Sequence, residues 1–143
     1  MVKNIILYIL IYVLLIGCGV EPYCDGCKLE LSIDSLEMDN HNYYLLDFDD
    51  NYIQTFTKIK ADVGRDYEKV GWTSDTYFVI ETIGYQEEVN VVNGASYSNE
   101  DGYAYTMLGV YESNIGDTII VYCGYYDDYG VQHLDSLGVI VNE

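Results

Sequence analysis

The sequence predicts an all-β fold, an antiparallel β-sandwich of about seven strands that follows a cleaved signal peptide. Apolar and polar residues alternate with period 2 in several runs, as expected for half-buried strands. Clusters of Gly, Asn and Asp separate these runs and mark turns. The 17 tyrosines, together with many Val, Ile and Thr residues, favour strands, and no helical period follows the first 18 residues.

Residues 1–17 are predicted to be a signal peptide rather than part of the fold. Lys3 supplies a positive charge, and an apolar run over 5–16 follows it. That run is too short for a membrane-spanning helix of about 20 residues. Its length and its position after a basic leader are typical of the hydrophobic region of a signal peptide.

The end of this run, Leu15-Ile16-Gly17-Cys18, resembles the lipobox of bacterial lipoproteins. The resemblance implies cleavage before Cys18, lipidation of Cys18, and a membrane anchor made of acyl chains. Residues 18–26 are then a lipidated terminus and a short tether, and residues 27–143 are the domain. Gly19 after the cysteine favours the outer membrane by resemblance to the sorting rule of enteric bacteria, if the source is Gram-negative. The expected location is therefore the cell envelope.

Within 27–143, the alternating runs predict the strands in order along the chain. Leu31 and Ile33 alternate with polar neighbours in the first run, and Ile59 and Ala61 do so in the longest. Turn residues such as those at 99–102 lie between the runs. The predicted strands are 28–33, 43–48, 52–63, 76–82, 89–92, 103–110, 118–123 and 137–141.

Residues 52–141 resemble bacterial Ig-like domains of the invasin and intimin type. The resemblance begins with a polar turn that contains Gly, at 98–102, followed by the small residue Ala104 and by Leu108. A second turn with Gly116 follows, and then two closing strands, Val121-Tyr122-Cys123 and 137–141. The resemblance implies an Ig-like sandwich with Cys123 at a small buried position. Members of that family serve as stalk or adhesive modules, and most have no catalytic residues.

Three cysteines remain once Cys18 is lipidated, and two pairings stay open. Disulfides can form in this protein because an exported protein lies in an oxidising compartment. Cys24 and Cys27 can bond to each other, or one of them can bond to Cys123. A thioredoxin-like redox pair needs the cysteines at the start of a helix, whereas a strand follows them here. A zinc site would need His41 and His133 as well, and their spacing does not resemble a zinc finger.

The formal net charge of −18 predicts repulsion from nucleic acid and anionic lipid headgroups, so no nucleic-acid partner is expected. Carboxylates in turns also attract divalent cations. Asp49, Asp50, Glu100 and Asp101 are the candidate ligands of a calcium site, together with Asp127 and Asp128 of a later turn. Solvated turn acids are the alternative. No other cofactor is predicted.

A tyrosine-rich hairpin loop is the candidate ligand-binding site: Tyr125, Tyr126, Asp127, Asp128 and Tyr129. Tyrosines and short polar side chains at a loop tip are the chemistry of antibody loops. Only two histidines exist to act as bases, and no enzyme is predicted. The sequence therefore predicts a membrane-anchored, non-catalytic structural or adhesive module. The alternative is a lipoprotein whose loop binds a glycan or an envelope or surface protein.

Overall fold

The computed structural model describes residues 24–75, 80–81, 91–92 and 94–143. These residues contain ten β-strands, one short 3₁₀ turn (Glu112–Asn114) and no α-helix. The strands are β1 (Glu30–Ser32), β2 (Tyr44–Asp47), β3 (Gln54–Asp62), β4 (Lys69–Ser74), β5 (Ile80–Glu81), β6 (Val91–Val92), β7 (Ala95–Tyr97), β8 (Tyr103–Tyr111), β9 (Thr118–Tyr126) and β10 (Gln132–Asn142).

The strands form two sheets, so the predicted all-β sandwich is confirmed. One sheet has the order β1-β3-β8-β5, and the other has the order β2-β10-β9-β4-β7-β6. All pairs are antiparallel except β2 and β10, which run parallel. Alternation gives no sign of this exception, because parallel and antiparallel strands share the same period of 2.

The core lies between the two sheets, and the long antiparallel pairs set its pattern. β3 and β8 pair over nine residues, from Gln54 opposite Tyr111 to Asp62 opposite Tyr103. Alternate residues of each strand face inward, including the fully buried Ile59 and Leu108. β9 and β10 contribute the facing layer, with the fully buried core side chains Ile119, Val121 and Val139.

β4 is the main strand that the sequence analysis did not predict. Val70 and Trp72 of β4 are buried, while Gly71 lies on the outer face. Trp72 lies opposite Cys123 of β9, and its indole N–H donates to the Ser96 hydroxyl at 2.7 Å. An immunoglobulin domain carries its core Trp on the equivalent strand. β3 has no cysteine, so this tryptophan packs without the disulfide of that family.

Several predictions lie outside the described residues. The signal peptide, Cys18 and most of the tether fall within 1–23, and most of the strand predicted at 76–82 is also outside. The described part of that strand, β5, pairs with β8. Within the described ranges, no helix has the length and apolar content needed to cross a membrane.

The loops between the strands gather at two opposite ends of the sandwich, the proximal end and the distal end. The proximal end consists of residues 24–28, 63–68, 98–102 and 127–131, and it contains the first described residue, Cys24. The distal end consists of residues 48–53 and 112–117 with Asn142 and Glu143, which are joined by backbone hydrogen bonds such as Phe48 N–H to Asn142 O. The nine-residue strands that separate the two ends are about 30 Å long.

Candidate binding surfaces

Arg65 joins three chain segments at the proximal end. Cys24 and Cys27 form a disulfide, and Arg65 Nη1 lies 3.5 Å from the first sulfur and 3.6 Å from the second. Arg65 Nη2 donates to the Asp128 carboxylate at 2.7 Å, and this contact raises the pKa of the guanidinium. The Arg65 side chain therefore connects the N-terminal loop to the β9–β10 hairpin.

The same cysteines lie close to a carboxylate, which raises the question of a metal site. Ligand atoms of Cys24, Cys27 and Asp127 all lie within 4.8 Å of one another. Only thiolate sulfur is a metal ligand, and these two sulfurs are bonded to each other. The guanidinium of Arg65 also faces both sulfurs and would repel a cation. The oxidised cluster is therefore a structural unit rather than a metal centre.

The predicted ligand-binding loop is divided between the interior and the surface. Tyr125 is only 4 % exposed, stacks on His133 at 4.7 Å between ring centroids, and donates its hydroxyl to Lys28 O. Tyr126 and Tyr129 are exposed, at 64 % and 58 %. Asp128 is exposed but paired with Arg65. The five predicted residues therefore do not form one continuous surface.

Asp127 has a structural position within this hairpin. Its Oδ1 accepts the N–H groups of Tyr129 and Val131, both at 2.9 Å, and its Oδ2 lies 3.1 Å from His133 Nε2. Burial alone would raise the pKa of this carboxyl group. The hydrogen bonds from His133, Val131 and Tyr129 outweigh burial and lower the pKa below its usual value. The hydrogen bonds of the turn therefore stabilise the charged form of Asp127.

Four of the candidate calcium ligands lie at opposite ends of the sandwich. Asp49 and Asp50 belong to the loop before Gln54, whereas Glu100 and Asp101 precede Tyr103. The β3–β8 register places Gln54 and Tyr103 at opposite ends of these paired strands. Calcium holds its ligands at 2.3–2.6 Å, so carboxylates separated by about 30 Å cannot bind one ion. Asp49 and Asp50 therefore do not share one ion with Glu100 and Asp101.

The remaining cysteine, Cys123, is a buried side chain of β9. It is 1 % exposed and free, so the pairing of Cys24 or Cys27 with Cys123 does not occur in this structure. Burial, assisted by the negative charge of Asp135, raises the pKa of the Cys123 thiol to about 12. A thiol of this kind is a small hydrophobic core group rather than a nucleophile at neutral pH.

The polar residues next to the second histidine also have structural partners. Asp135 Oδ2 accepts the N–H of Leu31 at 2.8 Å, and so satisfies a backbone donor of β1 from the opposite sheet. Asp135 Oδ1 accepts the N–H of Ser136, and the ring of His133 is held between Tyr125 and Asp127. Asp135 therefore does not contact His133 as the third member of a catalytic triad would.

A groove crosses the outer face of the six-stranded sheet. Gly71 and Gly124 are paired neighbours on β4 and β9 and form its floor. Tyr122 and Tyr126 stand on either side of Gly124, and Leu134, 66 % exposed, lies over one end. A Cβ atom at position 124 would collide with the Leu134 side chain, so glycine at this position makes room for Leu134 to pack over β9. The groove has a volume of about 320 Å³.

The distal end carries a second depression and a different charge pattern. Its volume is about 490 Å³, and its lining residues are Phe48, Asp50, Asn51, Tyr52, Ile53 and Glu112. Ile53 is 88 % exposed and Tyr52 is 66 % exposed. The distal end contains five acidic side chains and no Lys or Arg: Asp49, Asp50, Glu112, Asp117 and Glu143.

Sequence reasoning missed the residues that make these surfaces. The sequence analysis does not identify Arg65, although an Arg in an otherwise cation-poor chain is a signal for an ion pair. The groove depends on the register that brings Gly71 beside Gly124, and local alternation does not fix register between distant strands. The adjacent apolar pair Tyr52-Ile53 in an acidic turn was the signal for the distal depression.

Comparison of the chain with protein-family models, curated proteins and solved structures finds no match.

Proposed function

We propose that this protein is a lipid-anchored module of the bacterial cell envelope, in which a non-catalytic Ig-like sandwich serves a structural or adhesive role. The observation that carries the proposal is the start of the folded domain. Cys18 ends the lipobox-like sequence Leu15-Ile16-Gly17-Cys18, and the disulfide-bonded Cys24 lies only six residues after it. A tether of six residues reaches about 20 Å. The proximal end of the sandwich would then lie near the membrane.

The contacts at the proximal end support a mechanical role for that region. The Cys24–Cys27 disulfide, the Arg65–Asp128 ion pair and the Tyr125 hydrogen bond to Lys28 all tie the N-terminal loop to the sandwich. A force or thermal motion transmitted through the tether would therefore act on a cross-linked region. Such a base suits a module that holds other surfaces away from the membrane.

The anchor is tested by the variant Cys18→Ser. We expect the wild-type protein to fractionate with membranes and to incorporate labelled fatty acid, and the variant to lose both properties. Cys123→Ala is the matched control, because it removes a cysteine that is buried in the core. Retention of Cys18→Ser in membranes after a carbonate wash would contradict the lipid anchor.

The alternative function is recognition of a ligand, and one observation favours a particular surface for it. Tyr126, one of two exposed tyrosines of the predicted loop, belongs to the groove with Tyr122, Gly71 and Gly124. Tyrosines supply apolar ring area with a polar hydroxyl, which suits neutral polyhydroxylated ligands such as glycans or a polar protein surface. The alternative ligand-binding site is therefore proposed on the face of the six-stranded sheet rather than at the tip of the hairpin.

Affinity electrophoresis in gels containing neutral polysaccharides tests this alternative. We expect retardation by a polysaccharide ligand to disappear in the double variant Tyr122→Ala plus Tyr126→Ala. Tyr52→Ala is the control, because Tyr52 is equally exposed but lies at the distal end. Equal mobility of all three proteins in every gel would exclude the groove as a glycan site for these polymers and leave the structural or adhesive role.

A further inference from the structure

The distribution of cations divides the molecule along its length. The six Lys and Arg residues of the chain include one in the leader, Lys3, and five in the described part. Of these five, Lys28 and Arg65 belong to the proximal end, while Lys58, Lys60 and Lys69 lie on β3 and β4 away from the distal loops. Among the residues that the structure describes, no Lys or Arg lies at the distal end to neutralise its carboxylates.

Two of the distal carboxylates line the depression and have no protein partner. The side-chain carboxylates of Asp50 and Glu112 make no hydrogen bond or ion pair with any residue that the structure describes. Asp49, by contrast, accepts Asn51 N–H at 3.0 Å and Asn51 Nδ2 at 2.7 Å, and Thr55 accepts the Asp49 N–H. The loop is thus ordered by Asp49, while Asp50 and Glu112 remain available to a ligand.

The same depression exposes apolar surface that folding does not use. A single exposed apolar side chain is ordinary in a folded protein. Here Tyr52 and Ile53 are adjacent, and both stand beside the two free carboxylates. Covering apolar surface is favourable because it removes that surface from water, and carboxylates attract cations. A lysine or arginine side chain, which has an apolar stem and a charged head, matches this combination.

We propose that the distal end is a docking site for a basic segment of a partner protein, with apolar stems packed on Tyr52 and Ile53 and cationic heads near Asp50 and Glu112. The inference rests on the proposed adhesive function, since it names the chemistry of the partner. Charge complementarity selects this partner over an anionic or neutral one. The ordering of the loop by Asp49 lowers the entropic cost of binding.

The test uses the full-length protein in nanodiscs of neutral lipid and measures fluorescence anisotropy of a labelled ten-residue peptide. The peptide has Lys at alternate positions, one central Leu and Ser elsewhere, and a second peptide carries Glu in place of Lys. We expect the Lys peptide to bind and the Glu peptide not to bind. Binding should weaken as ionic strength rises, because exposed charges are screened by salt.

Three variants separate a site from general attraction to an acidic protein. Asp50→Asn plus Glu112→Gln should weaken binding about tenfold, equivalent to about 1.4 kcal/mol. Ile53→Ser should weaken it about threefold, and this loss should persist at high salt because it comes from apolar contact. Glu100→Gln plus Asp101→Asn removes the same charge at the proximal end and should change affinity less than about twofold.

Equal losses from the distal and proximal charge variants would overturn the site, as would full affinity in Ile53→Ser or no binding of the Lys peptide. Thermal melts of each variant establish that the protein remains folded. The outcome is separable from that of the anchor experiment. A protein that binds the peptide but does not fractionate with membranes would overturn the lipid anchor alone, and an anchored protein without binding would overturn the docking site alone.

Discussion

At the proximal end several charged side chains contact partners within the fold, whereas at the distal end the Asp50 and Glu112 side chains face solvent without a partner among the described residues. Arg65 pairs with Asp128, and the buried carboxylate of Asp127 accepts hydrogen bonds from His133 and from two backbone N–H groups. Asp50 and Glu112 line an open depression beside exposed apolar side chains. The difference indicates that the fold uses Arg65, Asp127 and Asp128, and leaves the side chains of Asp50 and Glu112 for intermolecular contacts.

Tyrosines show the same contrast, and their replacement is expected to give the largest effect. Tyr125→Ala removes a 4 % exposed ring, its stacking on His133 and its hydrogen bond to Lys28 O. We expect a loss of about 3 kcal/mol in the free energy of unfolding, measured by urea denaturation. Tyr52→Ala at the distal end should change it by less than about 0.5 kcal/mol. Similar losses in both variants would show that the distal loop also stabilises the fold.

Removal of the disulfide probes the cross-link at the proximal end. Cys24→Ser plus Cys27→Ser should lower the free energy of unfolding by about 2 kcal/mol, because a four-residue loop is no longer closed in the unfolded chain. A reducing agent should lower the melting temperature of the wild type and leave that of the double variant unchanged. Binding of the Lys peptide at the distal end should be the same with and without reductant. A change in peptide affinity would mean that the two ends are coupled.

Acid should destabilise the proximal end through Asp127. The folded state lowers the pKa of this carboxyl group, so the unfolded state binds more protons and stability rises with pH in that range. The contribution is fully present above about pH 4, the ordinary pKa of Asp, and is lost as pH falls through the lower pKa of the folded state. Melts between neutral pH and acid should therefore show a shallower decline in Asp127→Asn. Asp50→Asn is the control for the loss of one negative charge.

Period-2 alternation was sufficient to predict the sandwich because inward residues such as Ile59 and Leu108 follow it without interruption. It failed for β4, where Gly71 separates Val70 from Trp72 and the strand is short. It also gave no sign of the parallel pairing of β2 with β10. These features depend on pairing between residues far apart in sequence, which the local pattern does not contain.

The candidate sites were harder to predict than the fold for the same reason. The composition of the β9–β10 hairpin predicted a ligand-binding loop, but strand alternation places Tyr125 in the interior and Tyr126 on the surface. Counting acids suggested a calcium site, but only the β3–β8 register shows that Asp50 and Asp101 lie at opposite ends. Asp50 and Glu112 lie far apart in the chain and meet only in the folded protein.

The smallest expected effects are the shifts in melting temperature when carboxylate charges are removed. The sign of the shift should differ between the two ends, which makes this the most direct comparison of them. Asp128→Asn breaks the ion pair with Arg65 and should lower the melting temperature slightly. Asp50→Asn plus Glu112→Gln removes carboxylates from an end that has no cation, so it should raise the melting temperature slightly by relieving repulsion. Both shifts should shrink at high salt, since the groups are exposed. Scanning calorimetry at low and high ionic strength measures them. A fall in melting temperature for the distal pair would mean that these carboxylates stabilise the fold, and the contrast on which the docking site rests would no longer hold.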